Sequence, residues 1–174
     1  HLLKPGINVV DLGAAPGSWS QLVRNRLGGT GKVLALDILP MQSIAGVDFL
    51  QGDFREESVL RELESRLEGQ KLDLVLCDLA PNMSGVALAD QIRAMVLAEL
   101  ALDFSKQWLK PGGSFLIKLF QGAGFDVYLR NLRAEFTRVT MRKPKASRAR
   151  SREVYALAVG RKPSAASPAR TVHE

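Results

Sequence analysis

One segment of the sequence could hold a ligand through its backbone. Residues 11–19 read DLGAAPGSW and lie where a predicted strand ends and a predicted helix begins. Glycines at such a junction let the main chain approach a ligand closely. Gly13 and Gly17 are spaced G-x-x-x-G, unlike the loops that bind dinucleotides or nucleoside triphosphates. The spacing favours a nucleoside without phosphates over NAD or ATP, although a tight structural turn explains the loop, taken alone, equally well.

Two carboxylates follow neighbouring predicted strands. Asp37 ends the second strand, where doubly wound folds place an acid on ribose hydroxyls, and Asp53 follows the third strand in the run QGDF. Each acid by itself would more simply be a solvated strand end or a helix cap. Together with the glycine loop, the two acids predict a nucleoside pocket.

A third acid stands in a loop that could act on a substrate. Asp78 ends the fourth predicted strand and opens the run DLAPNMSG, with Pro81 stiffening the exit. Methyltransferases that modify base nitrogens often carry an aromatic residue in this loop, which stacks on the base. This loop contains no aromatic residue. Its composition favours chemistry on a group other than an exocyclic base nitrogen.

Lys118 interrupts the apolar run SFLIKLFQG. Lysines are rarely buried without a partner. The simplest explanation is a strand-end side chain whose ammonium group reaches water. The functional alternative pairs Lys118 with Asp78 and Glu153, which are predicted at or near the same sheet edge.

These residues require a sheet that gathers strand ends at one edge. Apolar runs of strand length alternate with amphipathic helical patterns, which is typical of a parallel sheet covered on both faces. The prediction is an α/β, doubly wound fold. The predicted strands are 7–12, 32–37, 47–51, 72–78, 114–120, 137–142 and 154–160, and the predicted helices are 18–27, 56–67, 89–109 and 125–136. The PGG run at 111–113 predicts a turn into the fifth strand.

Composition limits the class of protein. With 174 residues and 46% hydrophobic residues, we expect one domain over 1–162 and an unstructured tail over 163–174. The sequence shows neither a membrane-spanning run nor a signal peptide, which predicts a cytoplasmic protein. Cys77 is the one cysteine, and no His or Cys cluster is present, so neither a disulfide nor a metal is expected.

Positive charge is concentrated near the end of the chain. The formal net charge is +6, and residues 138–162 contain nine basic residues and one acid, Glu153. This run predicts a polyanionic partner held through phosphate contacts, whereas an ordinary solvated surface is the simpler explanation for charge runs in general. An extended strand would point the alternating Arg148, Arg150 and Arg152 to one side.

These motifs together resemble the FtsJ family of ribosomal RNA 2′-O-ribose methyltransferases, over nearly all of residues 1–163. The matching runs are DLGAAPGSWSQ, VDFLQGDF, DLAPNMSG, IKLFQG and RKPKASRARSREVY. The resemblance implies a mostly parallel seven-stranded sheet with an antiparallel last strand. It also implies S-adenosylmethionine as the cofactor. The implied cofactor contacts are Gly17, Trp19, Asp37, Asp53 and Asp78.

The family's catalytic residues are a Lys-Asp-Lys-Glu tetrad. By resemblance, its last three members are Asp78, Lys118 and Glu153. The first lysine lies upstream of the segment that matches residues 1–6, so it has no counterpart here, and Lys4 is not that residue. We expect either a fragment or a protein that has lost part of its RNA-binding surface. The basic run is expected to contact RNA through Arg142, Lys143, Arg148, Arg150 and Arg152.

The implied substrate is large-subunit ribosomal RNA, at a uridine in the loop that receives aminoacyl-tRNA, within an assembling subunit. The expected enzyme is a monomer. Two alternatives from other classes stay open at this point. One is a binding protein that uses the pocket without catalysis, and the other is a nicotinamide-dependent dehydrogenase, which the glycine spacing disfavours.

Overall fold

A computed structural model describes residues 2–144 and 152–163. Strands and helices alternate along most of the chain, as the apolar pattern predicts, but the second and sixth strands are each followed directly by another strand. The strands are β1 (Asn8–Leu12), β2 (Lys32–Asp37), β3 (Val47–Gln51), β4 (Leu72–Cys77), β5 (Leu109–Phe120), β6 (Phe136–Arg142) and β7 (Glu153–Arg161). The helices are α1 (Ser18–Leu27), α2 (Glu57–Arg66), α3 (Ala87–Trp108) and α4 (Phe125–Glu135).

The seven strands form one sheet in the order β3-β2-β1-β4-β5-β7-β6. Strands β1 to β5 pair in parallel, and β7 is antiparallel to both β5 and β6. The predicted doubly wound, mostly parallel α/β fold with an antiparallel last strand is confirmed.

The core lies on both faces of the sheet, which explains why the central strands are continuously apolar. Val10 and Leu12 of β1 belong to the larger cluster, which α3 and α4 cover. Val9, on the opposite face, packs with Val23 and Leu27 of α1. Burying one such side chain contributes about 1.5 to 3 kcal/mol. Both clusters therefore fix the strands that end at the candidate site.

The predicted element bounds agree with the structure within about two residues, except at β5. The sequence predicted a turn at 111–113, but the structure places these residues inside β5, which begins at Leu109. Leu72 of β4 pairs with Leu109, whereas Leu74 pairs with Ser114, so the strand bulges between the two pairs. The bulge accommodates Gly112, whose φ is +84°. The turn prediction was wrong because Pro-Gly-Gly also suits an irregular strand.

Other predictions concern residues that the structure does not describe. Arg148 and Arg150 fall outside the described ranges, as does the predicted tail beyond Pro163. The single domain over 1–162 stays a prediction. Among residues 2–144 and 152–163, no helix is both long and apolar enough to cross a bilayer.

Candidate functional site

The candidate residues meet at one edge of the sheet. Parallel strands end on the same side, so the residues that follow β1, β2 and β4 are neighbours. Leu12, the last residue of β1, pairs with Leu36 of β2 and with Cys77 of β4. Because β7 runs antiparallel to β5, its first residue, Glu153, pairs with Phe120 at the end of β5. The edge therefore gathers the acids and the lysine singled out in the sequence.

The glycine loop lies against the chain that carries Asp78. Gly13 has a φ of +78°, and a Cβ added there would lie 2.7 Å from the backbone carbon of Asp78. The amide of Gly13 donates to the Leu36 carbonyl at 2.8 Å. Gly17 caps α1 with a φ of 116°. Both glycines are therefore required by the backbone, and the close approach of the first keeps β1 and β4 in contact at the edge.

Asp37 fixes the glycine loop. Its carboxylate is 9% exposed and accepts hydrogen bonds from the amides of Ala15 and Leu39, both at 2.9 Å. The sequence predicted a ribose contact for this residue. Each carboxylate oxygen can accept a second hydrogen bond, so Asp37 can hold the loop and a ligand hydroxyl together.

Asp53 lies beside Asp37 on the neighbouring loop. The amide of Gly52 donates to the Asp37 carbonyl at 2.9 Å, which ties the two loops together. Arg55 contacts the Asp53 carboxylate with its guanidinium at 2.7 Å and with its own amide at 2.9 Å. These hydrogen bonds from Arg55 lower the pKa of Asp53 below its ordinary value. Asp53 is thus an ionised acid at neutral pH, next to the proposed ribose contact.

A fourth acid, Asp11, was missed in the sequence analysis. It is 1% exposed in β1, and the hydroxyl of Ser20 in α1 donates to one of its oxygens at 2.7 Å. The other oxygen has no hydrogen-bond partner in the described structure. Burial, with smaller contributions from the nearby Asp78 and Asp37, raises the pKa of Asp11 to about 6 against the lowering effect of Ser20. An acid inside an apolar strand run was the available sequence signal.

Asp78 and Lys118 form an ion pair at this edge. The Lys118 Nζ lies 2.7 Å from Asp78 Oδ1, with side chains 12% and 32% exposed respectively. The approach does not meet hydrogen-bond geometry at that oxygen, although the distance is that of an ion pair. The predicted contact between these two residues is present. The solvent-facing alternative for Lys118 is not what the structure shows, because its ammonium is paired.

Glu153 and Tyr155 complete the centre from β7. Glu153 pairs with Phe120, and Tyr155 pairs with Lys118 directly across the strands. Burial first, and then the charges of Asp78 and Glu153, raise the pKa of Tyr155 to about 12. The Trp19 and Tyr155 rings lie 5.7 Å apart between their centroids. Tyr155 was part of a matching run but was not predicted as a site residue.

Part of the basic run continues from this centre. Arg142 on β6 pairs with Tyr155, so Lys118, Tyr155 and Arg142 form one row across three strands. Arg142, Lys143 and Arg152 are exposed. Three described residues of the basic run, Arg142, Lys143 and Arg152, therefore lie on the side of the Asp78–Lys118 pair, whereas Arg138 and Arg161 lie at the other end of β6 and β7.

The arrangement suits a cationic nucleoside. The acids Asp11, Asp37, Asp53 and Asp78 lie at or near the glycine loop, and one buried Asp11 oxygen has no hydrogen-bond partner among the described residues. Among the described residues, no cluster of three or more side chains has the arrangement to hold a metal.

The sequence matches known families over most of its length. The FtsJ-like methyltransferase family model matches residues 1–161. A ribosomal RNA large subunit methyltransferase E from Stenotrophomonas maltophilia strain K279a is 63% identical over 162 residues, covering 93% of this chain and 77% of that protein. The protein of the same name from Azoarcus sp. strain BH72 is 63% identical over 159 residues, covering 91% and 78%.

Solved structures share the fold. A protein from Plasmodium falciparum described as a ribosomal RNA methyltransferase superposes with a TM-score of 0.81 at 26% identity, covering 92% of this chain and 89% of that one. Human methyltransferase-like protein 13, in complex with SAH, superposes with a TM-score of 0.64 at 16% identity, covering 96% and 78%. The second likeness concerns the fold alone.

Proposed function

Because the chain belongs to the FtsJ-like methyltransferase family, we propose that it methylates ribosomal RNA of the large subunit at a ribose 2′-hydroxyl, using S-adenosylmethionine. The observation that carries this proposal is the contact of 2.7 Å between Lys118 and Asp78, beside Glu153 at the carboxyl edge. The names of the relatives at 63% identity support the RNA substrate. The absence of an aromatic residue in the loop of Asp78 supports the hydroxyl over a base nitrogen.

The residues that would hold the cofactor are Gly17, Trp19, Asp37, Asp53 and Asp78. S-adenosylmethionine, when bound, supplies an electrophilic methyl group on a cationic sulfur. The acids at this edge suit its positive charge, and Asp37 suits its ribose hydroxyls. Gly13 and Gly17 let the loop pack against the neighbouring chain, which sets the path of its backbone at this edge.

Orientation is the main task that falls to the protein's own residues. A 2′-hydroxyl is a weak nucleophile and must be aimed in line at the methyl carbon. Lys118, held by Asp78, can direct the hydroxyl as a hydrogen-bond donor when charged, or accept its proton when neutral. Glu153 lies at the end of the neighbouring strand and would hold the lysine from the other side. Two routes for the proton thus stay open, and substitution of Lys118 separates them.

Other features of the proposal rest on the sequence. The basic residues Arg142, Lys143 and Arg152 would contact the RNA backbone, and Arg148 and Arg150 are expected to do the same. A uridine target in the aminoacyl-tRNA loop, a monomeric state and a cytoplasmic location stay predictions.

A transfer assay tests the proposal. The chain would be incubated with tritiated S-adenosylmethionine and large subunits isolated from cells that lack this modification. Nuclease digestion and mass spectrometry would then locate the label. We expect a 2′-O-methylnucleoside in large-subunit RNA. Label on a base would reject the ribose assignment, and binding of both partners without transfer would favour a binding protein.

A further inference from the structure

Two adjacent polar residues at the start of α3 are almost completely buried. Asp90 is 7% exposed and Gln91 is 4% exposed. Polar side chains are buried in this way when hydrogen bonds replace their contacts with water. The two side chains find their partners in two different loops at the carboxyl edge.

Asp90 fastens the loop that follows β4. One carboxylate oxygen accepts hydrogen bonds from the Ser84 amide at 2.8 Å and from the Ser84 hydroxyl at 2.7 Å. The other oxygen accepts from the Gly85 amide at 3.1 Å. The Ser84 amide is the main cause of the lowered pKa of Asp90. The loop that Asp90 fastens begins directly after Asp78.

Gln91 fastens the loop that follows β5. Its side-chain amide donates to the carbonyls of Phe120 at 2.9 Å and Ala123 at 3.0 Å. Gly122 lies against this amide, since a Cβ added there would be 3.1 Å from the Gln91 Cδ, and its φ is +148°. The loop therefore closes around one buried side chain.

The point that Gln91 holds is next to the proposed catalytic pair. The ring of Phe120 lies 5.8 Å from the Lys118 Nζ, and Phe120 is also the strand partner of Glu153. Phe120, whose carbonyl accepts the Gln91 hydrogen bond, is thus in contact with Lys118 and paired with Glu153. On the other side of the pair, Asp90 controls the path of the chain after Asp78.

We infer that Asp90 and Gln91 are positioning residues that join the exits of β4 and β5 and so hold Asp78 and Lys118 in contact. The inference rests on the proposed function of that pair. Neither residue is proposed to touch the reacting atoms. Each acts through the loop that it fastens.

Gln91→Leu tests this role, because leucine has a similar volume but donates no hydrogen bond. Two part-buried carbonyls would lose this donor, and the end of β5 would shift. We expect kcat for methyl transfer to fall on the order of 10-fold to 100-fold, as small misplacements of reacting groups do. The Kd for S-adenosylmethionine should stay unchanged. Asp90→Asn should act in the same direction, because its amide cannot accept from Gly85.

Tyr128→Phe is the matched control. The Tyr128 hydroxyl donates to the Ala98 carbonyl in α3 at 2.8 Å, so this variant also loses side-chain hydrogen bonding that involves α3, one bond where Gln91→Leu loses two. It leaves both loops fastened. We expect Tyr128→Phe to lower the Tm but to keep kcat when the two variants are compared at equal folded fraction.

Hydrogen exchange supplies a readout that does not depend on activity. Peptides covering residues 119–125 should exchange faster in Gln91→Leu than in the unmodified chain or in Tyr128→Phe. If Gln91→Leu does not fold, Gln91→Met takes its place with the same expectations. The inference is overturned if exchange there is unchanged, or if kcat falls no more than in Tyr128→Phe. Absence of transfer by the unmodified chain would instead reject the proposed function, and the exchange comparison would still decide whether Gln91 fastens the loop.

Discussion

Lys118 is the residue on which the proposed chemistry depends most. Its ammonium contacts Asp78 at 2.7 Å and is only 12% exposed. We expect Lys118→Ala to abolish methyl transfer while the fold and the affinity for S-adenosylmethionine are retained, because the proposed partner of the lysine is the RNA hydroxyl. Single-turnover transfer and calorimetry measure the two properties separately. Turnover at the level of the unmodified chain would remove Lys118 from the mechanism.

Lys118→Arg separates the two routes for the proton. A guanidinium keeps the positive charge next to Asp78 but cannot serve as a base at neutral pH. Partial transfer by this variant would therefore favour a lysine that orients the hydroxyl. Loss of transfer as complete as in Lys118→Ala would favour proton abstraction.

Asp37 is expected to bind the cofactor and to shape its loop. Asp37→Ala removes the acceptor of the Ala15 and Leu39 amides as well as the proposed ribose contact. Loss of a charge-assisted hydrogen bond costs roughly 1.5 to 3 kcal/mol, which is about a tenfold or greater loss of affinity for S-adenosylmethionine. Calorimetry would measure it, with Asp48→Ala on β3 as a control away from the edge. Unchanged affinity in folded Asp37→Ala would take this residue out of the pocket.

The raised pKa of Asp11 predicts how the free energy of unfolding depends on pH. Its pKa is about 6 in the folded chain and 3.8 without burial, so the folded state binds the proton more tightly. The stabilisation that the folded state gains from protonated Asp11 is fully present below pH 3.8 and is lost as pH rises through about 6. The difference between the two pKa values corresponds to about 3 kcal/mol in the free energy of unfolding.

Asp11→Asn should remove this dependence, because the amide is neutral at every pH and can still accept from Ser20. Urea unfolding between pH 4 and 8 would measure it. We expect the variant to be the more stable one at pH 8, and the two stabilities to converge towards pH 4. Parallel curves for the two proteins would contradict the raised pKa.

At the scale of the elements, the close approach of β1 and β4 depends on Gly13. A Cβ there would lie 2.7 Å from backbone atoms of Asp78, which cannot move as a side chain can. Gly69 has a similar φ, +74°, but nothing lies within 4 Å of an added Cβ. Gly69→Ala should therefore cost about 1 kcal/mol from backbone strain alone.

Gly13→Ala should cost clearly more than Gly69→Ala and should also weaken binding of S-adenosylmethionine, since the edge must open. Chemical denaturation and calorimetry on the two variants decide this. Equal losses of stability would show that β1 and β4 do not depend on contact at Gly13.

The elements that the sequence predicted well are those whose burial is uniform. Strands β1, β2 and β4 are covered on both faces, so their apolar runs are unambiguous. The seven-stranded sheet with an antiparallel last strand followed from the resemblance, and no strand order was predicted, because the pattern of one strand does not identify its neighbours. At β5 the Pro-Gly-Gly run wrongly predicted a turn. The structure keeps these residues in the strand, because Leu109 pairs with Leu72, a residue that is distant in the sequence.

The site was predictable as a set of residues but not as a set of contacts. Asp37, Asp78 and Lys118 stood out by type and position. The bond from Gln91 to Phe120 spans 29 residues, and that from Ala15 to Asp37 spans 22. Such partners depend on strand order and register, which fix side-chain neighbours only after folding. Asp11 was missed for the same reason, because its partner Ser20 becomes visible only when α1 packs on the sheet.

At the scale of the whole molecule, the distribution of charge predicts where RNA and the cofactor bind. The net charge is +6, while Asp37, Asp53 and Asp78 lie at the carboxyl edge where the cofactor is proposed to bind. Acids at this position would attract a cationic cofactor and repel RNA, so we expect the RNA backbone to contact the basic residues beside them, Arg142, Lys143 and Arg152. We therefore expect two ligands of opposite charge to occupy separate parts of one edge.

This separation makes RNA affinity depend on salt. Arg142 is exposed in the row with Tyr155 and Lys118, and Arg152 directly precedes Glu153. Replacing both arginines with Ala should reduce the slope of log affinity against log salt concentration by roughly 0.7 to 0.9 for each lost phosphate contact. Affinity for S-adenosylmethionine should not change. The control is a double variant of equal charge, Arg61→Ala with Arg133→Ala. Arg61 lies on the exposed face of α2, and Arg133 is exposed on α4. If the control pair lowers the slope as much as the Arg142 and Arg152 pair does, RNA is attracted by net charge alone and the basic run does not guide it to Lys118.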